Sequence, residues 1–202
     1  MKQHSSFLSI LLFTVFCLTV QCSKKQAGKE EITAIQKNQN IKTEEAIAQF
    51  IPMILQDQLK EWKMILNPTD KRWSVLVSYG GSTALTFDSQ EEYKKNTFLV
   101  QALVLSRLSF ALAPYEVGEI TLSLSKPLYV KNEKNPDVGI QEFEILRTTL
   151  PFAKAVAVLK KYSHIDPYAN QKSQKEDLLK MLNEITEVWV MNLDELDKIT
   201  VE

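Results

Sequence analysis

Apolar residues recur at three- and four-residue spacing through Ile47, Phe50, Ile51, Ile54, Leu55, Leu59, Trp62 and Ile65, the period of a helix that buries one face. With Thr43 as N-cap, this predicts a helix from Thr43 to about Leu66, kinked or restarted at Pro52 and ended by Asn67-Pro68. The period then drops to two. Trp73, Val75, Val77 and Tyr79 share one side and Ser74, Leu76 and Ser78 the other, the pattern of a half-buried strand. Gly80-Gly81-Ser82-Thr83 turns the chain into the stretch Asp88 to Leu112, where Asp88 and Glu91 form a capping-box-like start. At 100° per residue its polar positions Gln101, Ser106, Arg107 and Ser109 scatter around the helix, so no polar face is left. Such a helix is buried on more than one side. Its apolar second half, Phe98 to Leu112, is too short to span a bilayer and carries Arg107, so the stretch reads as a core helix.

Beyond Pro114, Ile120, Leu122 and Leu124 alternate with Thr121, Ser123 and Ser125, and the same parity continues through Leu128 and Val130 past Pro127. A proline there implies an edge position or a bulge. Asn132 to Gly139 is rich in turn residues and precedes a strand from Ile140 to Thr148, so the pair predicts a long hairpin. A helix is expected from Thr149 to about Tyr162, then a loop through Asp166-Pro167. Ser173 with Glu176 opens another helix to about Thr186, and Val188 to Met191 supplies a last strand. The β-α-β-β-α-β succession predicts an α+β fold, a split-βαβ ferredoxin-like sandwich. The extra N-terminal helix would cover the far side of the Asp88–Leu112 helix.

Ahead of this domain, Met1-Lys2 and the uncharged run Phe7 to Val20 have the shape of a signal-peptide n-region and h-region. The run ends in Leu18-Thr19-Val20-Gln21-Cys22-Ser23-Lys24-Lys25. An apolar run closed by a cysteine resembles the signal of bacterial lipoproteins. With Gln21 before the cysteine and the leucine at Leu18, it is similar to the looser lipoboxes of spirochaete lipoproteins. The resemblance implies cleavage before Cys22, whose sulfur would carry the lipid. It also implies residence in the cell envelope, on the outer membrane rather than the inner. The expected organisation is a signal peptide over 1–21, the lipidated cysteine and a flexible tether over 22–43, and one α+β domain over 44–202. Cys17 would leave with the signal, so the domain is held without a disulfide.

Charge sharpens this division. Residues 23–43 hold five lysines against Glu30 and Glu31, a net +3, whereas the chain from Glu44 onward carries 18 basic and 23 acidic residues, a net −5. A basic segment ahead of an acidic domain suits attachment near an anionic membrane, and equally a linker kept soluble by charge. A whole-chain charge of −1 gives no footing for nucleic acid.

Candidate chemistry is sparse. His4 lies in the signal, leaving His164 as the one histidine of the domain, so no Cys/His metal cluster is possible. Ser163-His164-Ile165-Asp166 has the letters of a triad, but triad members normally arrive from separate segments. Gly80 to Thr83 could cradle an anion with backbone N–H groups, although Asp88 would oppose it; a glycine turn is the simpler reading. Glu142 and Glu144 share a strand face and could pair as acid and base, against the simpler reading of a solvated face with Phe143 and Ile145 buried. Arg107 could bind a ligand carboxylate or form a structural ion pair. Trp62, Trp73 and Trp189 read as core, and the Asn132–Gly139 tip is the segment placed for contact with an envelope protein partner. No catalytic, cofactor or metal residues are assigned, and Cys22 is the one site residue, for lipidation. The expected function is a lipid-anchored binding or scaffolding module. Its rivals are an envelope hydrolase using carboxylates and a lipoprotein holding a small apolar or anionic ligand near Arg107.

Overall fold

The computed structural model describes residues 28–38, 40–81, 90–129, 140–169 and 175–194. In chain order the elements are α1 (Lys29–Gln36), α2 (Thr43–Leu55), β1 (Leu59–Leu66), β2 (Trp73–Tyr79), α3 (Gln90–Leu112), β3 (Val117–Tyr129), β4 (Ile140–Pro151), α4 (Phe152–Lys161), α5 (Lys175–Glu187) and β5 (Val190–Asp194). The strands form one five-stranded sheet in the order β1-β2-β3-β4-β5, antiparallel throughout except for the parallel pair β2/β3. The class is α+β.

The split is absent. A ferredoxin-like sandwich inserts a strand between the two parallel members of its βαβ unit. Here β2 and β3 are direct neighbours, with Val75 opposite Ile120 and Val77 opposite Leu122. The inserted place goes unused because β1 and β5 add at the two outer edges instead.

β1 itself is a second departure. The helical spacing carries on past Leu55, yet the helix stops there and Gln56 takes a positive φ of 50°. Leu59 to Leu66 then runs as a strand, with Trp62 opposite Val77 and Met64 opposite Val75. Trp62, Met64 and Ile65 satisfy either period over so short a run, and pairing with β2 decides it. Pro52 is tolerated inside α2 because it lies on the exposed side with Ala48, whose carbonyl loses its helical partner where water can replace it.

Lys29–Gln36, within the stretch expected as a tether, folds as α1. Glu31 Oε2 accepts the Gly28 N–H at 3.1 Å, Ile32 is fully buried, and Gln36 Nε2 donates to the carbonyls of Phe110 and Ala111 at 2.7 and 3.0 Å. Its contacts close over the C-terminal half of α3.

α3 is the centre of the helical layer, touched by α1, α2, α4 and α5 and lying on β3. This accounts for its lack of a polar face: Gln101, Ser106 and Ser109 are all fully buried. Gln101 Oε1 accepts the Tyr79 hydroxyl at 2.8 Å, and its amide donates to Thr148 Oγ1 at 2.9 Å and to the Leu122 carbonyl at 3.4 Å. One glutamine thus ties α3 to β2, β3 and β4. The inward row Val75, Val77, Tyr79, Ile120, Leu122, Leu124, Leu146 and Leu150 completes the core. The alternation read for β2 and for Ile120 to Ser125 of β3 holds except at Ser123, which was expected outward and is buried, and β3 and β4 form the expected hairpin.

Candidate functional site

Two features of the sequence create an opening at one end of the sheet. β2 stops pairing with β3 at Tyr79 opposite Leu124, while β3 runs on to Tyr129. Gly80 then crosses β3 so closely that a Cβ there would overlap the Ser125 carbonyl oxygen, and only glycine fits. Its N–H donates to the Gln58 carbonyl at 2.8 Å, and the Lys60 amine donates to the Ser125 carbonyl at 3.4 Å while pairing with Glu142. β1 therefore reaches across the end of β2 to β3 and β4. Pro127 is accommodated because β3 has already lost its β2 neighbour there.

Beneath this crossing lies a crevice of about 120 Å³ between the carboxyl ends of β2 and β3 and the first turns of α3. In open sheets with parallel strands, ligands bind outside such carboxyl ends. Tyr79, Leu124 and Val100 give it hydrocarbon walls; Tyr93, Asn96, Thr97, Gln58 and Lys126 supply polar groups. Thr97 is 4% exposed and its Oγ1 makes no hydrogen bond of acceptable geometry. Lys126 falls on the inward parity of β3, two residues past Leu124, and burial lowers its pKa. Burial lowers that of Lys60 as well, with the Lys126 charge adding to it. Lys60 has Glu142; Lys126 has no carboxylate partner among the described residues. Burial raises the Tyr93 hydroxyl, with the Thr97 side chain opposing. Glu91 and Glu92 of the first α3 turn are exposed and do not line the crevice; Asp88, Ser82 and Thr83 lie outside the described residues.

The other candidates are dispersed. Glu142 and Glu144 do not meet: Glu142 is held by Lys60, whereas Glu144 Oε2 accepts from Ser123 Oγ and from Arg147 at 2.8 and 3.1 Å. Glu144 is not solvated as alternation predicts. Leu124 opposes Leu146 and Ser125 opposes Glu144, so Ile145 is an extra bulge residue that shifts the facing of the strand. Arg107 is structural. Its Nε donates to the Pro167 carbonyl at 2.9 Å, its guanidinium stacks over Tyr168, and the Tyr168 hydroxyl returns a 2.7 Å bond to the Arg107 carbonyl. Burial lowers the Arg107 pKa, opposed by Tyr168 and Asp166. His164 is exposed, 3.5 Å from Asp177, while Asp166 caps the Tyr168 N–H, so the triad letters do not converge. Trp189 packs edge-on against Phe98, and Trp62 and Trp73 line the core as expected.

A wider groove of about 580 Å³ runs along α4, but Asp70, Arg72, Glu116 and Lys160 give it charges of both signs and no evident preference for a ligand. Among the described residues no group of three or more His, Cys, Asp or Glu is placed to hold a metal ion, and no helix is long and apolar enough to cross a membrane. Cys22 and the Asn132–Gly139 tip lie outside the described residues.

The alternation of β3 already carried a signal for Lys126: a lysine stands at an inward place between Leu124 and Leu128. Thr97 left no such trace, because a helix with no polar face hides how well each of its polar groups is matched. Comparison with protein-family models, with curated proteins and with solved structures finds no match for this chain.

Proposed function

We propose that the protein is a lipid-anchored lipoprotein of the cell envelope whose α+β domain is a binding module, with the crevice beside Gly80 as its binding site. The observation that carries this reading is the buried Thr97 hydroxyl, which has only a loose contact with the Tyr93 hydroxyl, on the wall of an opening that also holds Lys126. A buried polar atom left unmatched costs on the order of 1–3 kcal/mol, a cost a ligand could offset. The size points to a small ligand or the end of a larger one: about 120 Å³ is several times the ~10–15 Å³ that admits one water, and below the ~300–1,000 Å³ of pockets for drug-sized molecules. This moves the ligand-holding role from Arg107, which is engaged structurally, to the opposite end of the same helix.

The anchor is Cys22, followed by Ser23-Lys24-Lys25 and a net positive segment suited to an anionic bilayer surface. More than one acyl chain would make the attachment stable. A hydrolase acting through Glu142 and Glu144 is the weaker reading, since separate partners hold them.

The test is an amide spectrum of the ¹⁵N-labelled full chain in detergent micelles, recorded with the ultrafiltered small-molecule extract of the expressing cells. Shifts confined to Gly81, Asn96, Thr97 and Lys126, abolished by filling the mouth with Val100→Trp, are expected. An extract that leaves these amides in place overturns the reading.

A further inference from the structure

Resting on that reading, we infer that the crevice takes the carboxylate end of a small monoanion with a short apolar stem, with Lys126 as counter-charge and Thr97 as hydroxyl donor. Charge, polarity and shape agree on this class. Among the described residues Lys126 is the one cation lining the crevice, and its neighbour Lys60 is neutralised by Glu142. One ammonium without a carboxylate partner among those residues matches one negative charge. A second charge on the ligand would be left in a half-buried site, where an unmatched ion is costly.

Thr97 Oγ1 is buried on the wall with no more than a loose contact to the Tyr93 hydroxyl, and Asn96 stands one residue away on α3. These groups offer neutral donors beside the ammonium, the arrangement that holds a carboxylate through charge-assisted bonds. The remaining wall is hydrocarbon: the Tyr79 ring, whose hydroxyl is turned away to Gln101, with Leu124 and Val100. A tetrahedral phosphate would have to shed its hydration against that wall. A carboxylate on an alkyl stem presents a charged end to Lys126 and an apolar body to the rest.

The lysine is there at a cost that a structural role does not explain. Position 126 has the parity of Ile120, Leu122 and Leu124, all buried, and an apolar residue would pack there without desolvating a charge. Desolvation lowers the Lys126 pKa, and a bound carboxylate would restore it.

Propionate, its neutral amide propionamide and inorganic phosphate serve as probes, each titrated into the ¹⁵N-labelled full chain at constant ionic strength. The amides of Gly81, Asn96 and Thr97 report binding. Propionate is expected to shift them saturably. Its affinity should fall at least about tenfold in Lys126→Met and about threefold or more in Thr97→Val, the range for a lost charged and a lost single hydrogen bond. Spectra of the unliganded variants check that each keeps the fold, and Thr97→Val, which removes a loosely held hydroxyl from a packed helix, keeps the test alive if Lys126→Met does not fold. Equal binding of propionamide, or tighter binding of phosphate, overturns the carboxylate assignment and leaves the crevice as a binding site. An unchanged propionate affinity in Lys126→Met overturns the role of the lysine. Silence of the crevice amides toward all three probes overturns this inference, while binding from the cell extract would still sustain the broader reading.

Discussion

Single side chains settle how this sheet and its helices hold together, and Gln101 is the plainest case. It is fully buried and bonded to Tyr79, Thr148 and the Leu122 carbonyl, so its removal strands groups on three strands at once. Gln101→Leu is expected to cost about 2–3 kcal/mol in urea unfolding, because the Tyr79 hydroxyl and Thr148 lose partners inside the core. Tyr79→Phe alone should cost about 1 kcal/mol. The double variant should be less destabilised than the two added together, by about 0.5 kcal/mol or more, since the second change removes a group the first had orphaned. Strict additivity would mean that the network is not coupled. The sequence showed that Gln101 lies on a helix without a polar face, which is enough to bury it. What it bonds could not be read, because the partners stand 22 and 47 residues away and are brought close only by the sheet.

Elements were legible where one period dominated. β2, β3, α3 and α5 fall where their spacing places them, because burial leaves little freedom of register, whereas β4 pairs on to Pro151 and α4 starts at Phe152, three residues after the helix expected from Thr149. Two elements were not legible. α1 has only Ile32 and Ile35 as apolar contacts, too few for a period, and is held by Gln36 and by packing on α3. β1 shares its apolar positions between both periods and follows Gln56, whose positive φ ends the helix. The turn joining β1 to β2 is strained at one further place, Lys71 at φ 59°. Its N–H donates to the Asn67 carbonyl at 3.0 Å, and the Asn67 N–H to the Arg72 carbonyl at 2.9 Å, so the turn cannot relax without losing both bonds. Left-handed backbone costs a non-glycine residue about 1 kcal/mol, partly offset by the greater freedom glycine has when unfolded. Lys71→Gly is therefore expected to raise the urea midpoint by the equivalent of about 0.5 kcal/mol, and Lys71→Val to lower it. A drop with glycine would show that the lysine side chain, not its backbone, matters in this turn.

At the scale of the whole molecule, burial that stabilises the core also sets its response to alkali. Desolvation raises the pKa of Tyr79, and that of Tyr168 with Asp166 adding and Arg107 opposing. The folded state thus keeps both phenolic protons at pH values where the unfolded chain, near its usual value of about 10, gives them up. The contribution is complete below about pH 10 and drains as pH rises toward the folded values. Stability in urea should fall between pH 9 and 11.5, and neither phenol should titrate at 295 nm before unfolding; a flat profile would contradict the burial of these rings. The proposed anchor would place this domain at a membrane, and the distance from Cys22 to the first helix limits how far it can stand off. α1 begins at Lys29, so six residues, Ser23 to Gly28, separate the proposed lipid on Cys22 from the folded part. However it runs, a segment that short spans at most roughly 25 Å, so α1 and the end of α3 it covers would ride close to the headgroups. Lys24, Lys25 and Lys29 then lie where an anionic surface favours them by about 1 kcal/mol each. Two outcomes of one comparison bear on this. The intact mass of the membrane-fraction protein should fit residues 22–202 plus acyl chains, and Cys22→Ala should remain at the unprocessed mass. Replacing Lys24 and Lys25 by glutamine should leave that mass unchanged and weaken vesicle binding of the non-acylated variant only when the vesicles are anionic. A wild-type mass without lipid would remove the anchor while leaving the crevice, and its ligand, to be judged on their own.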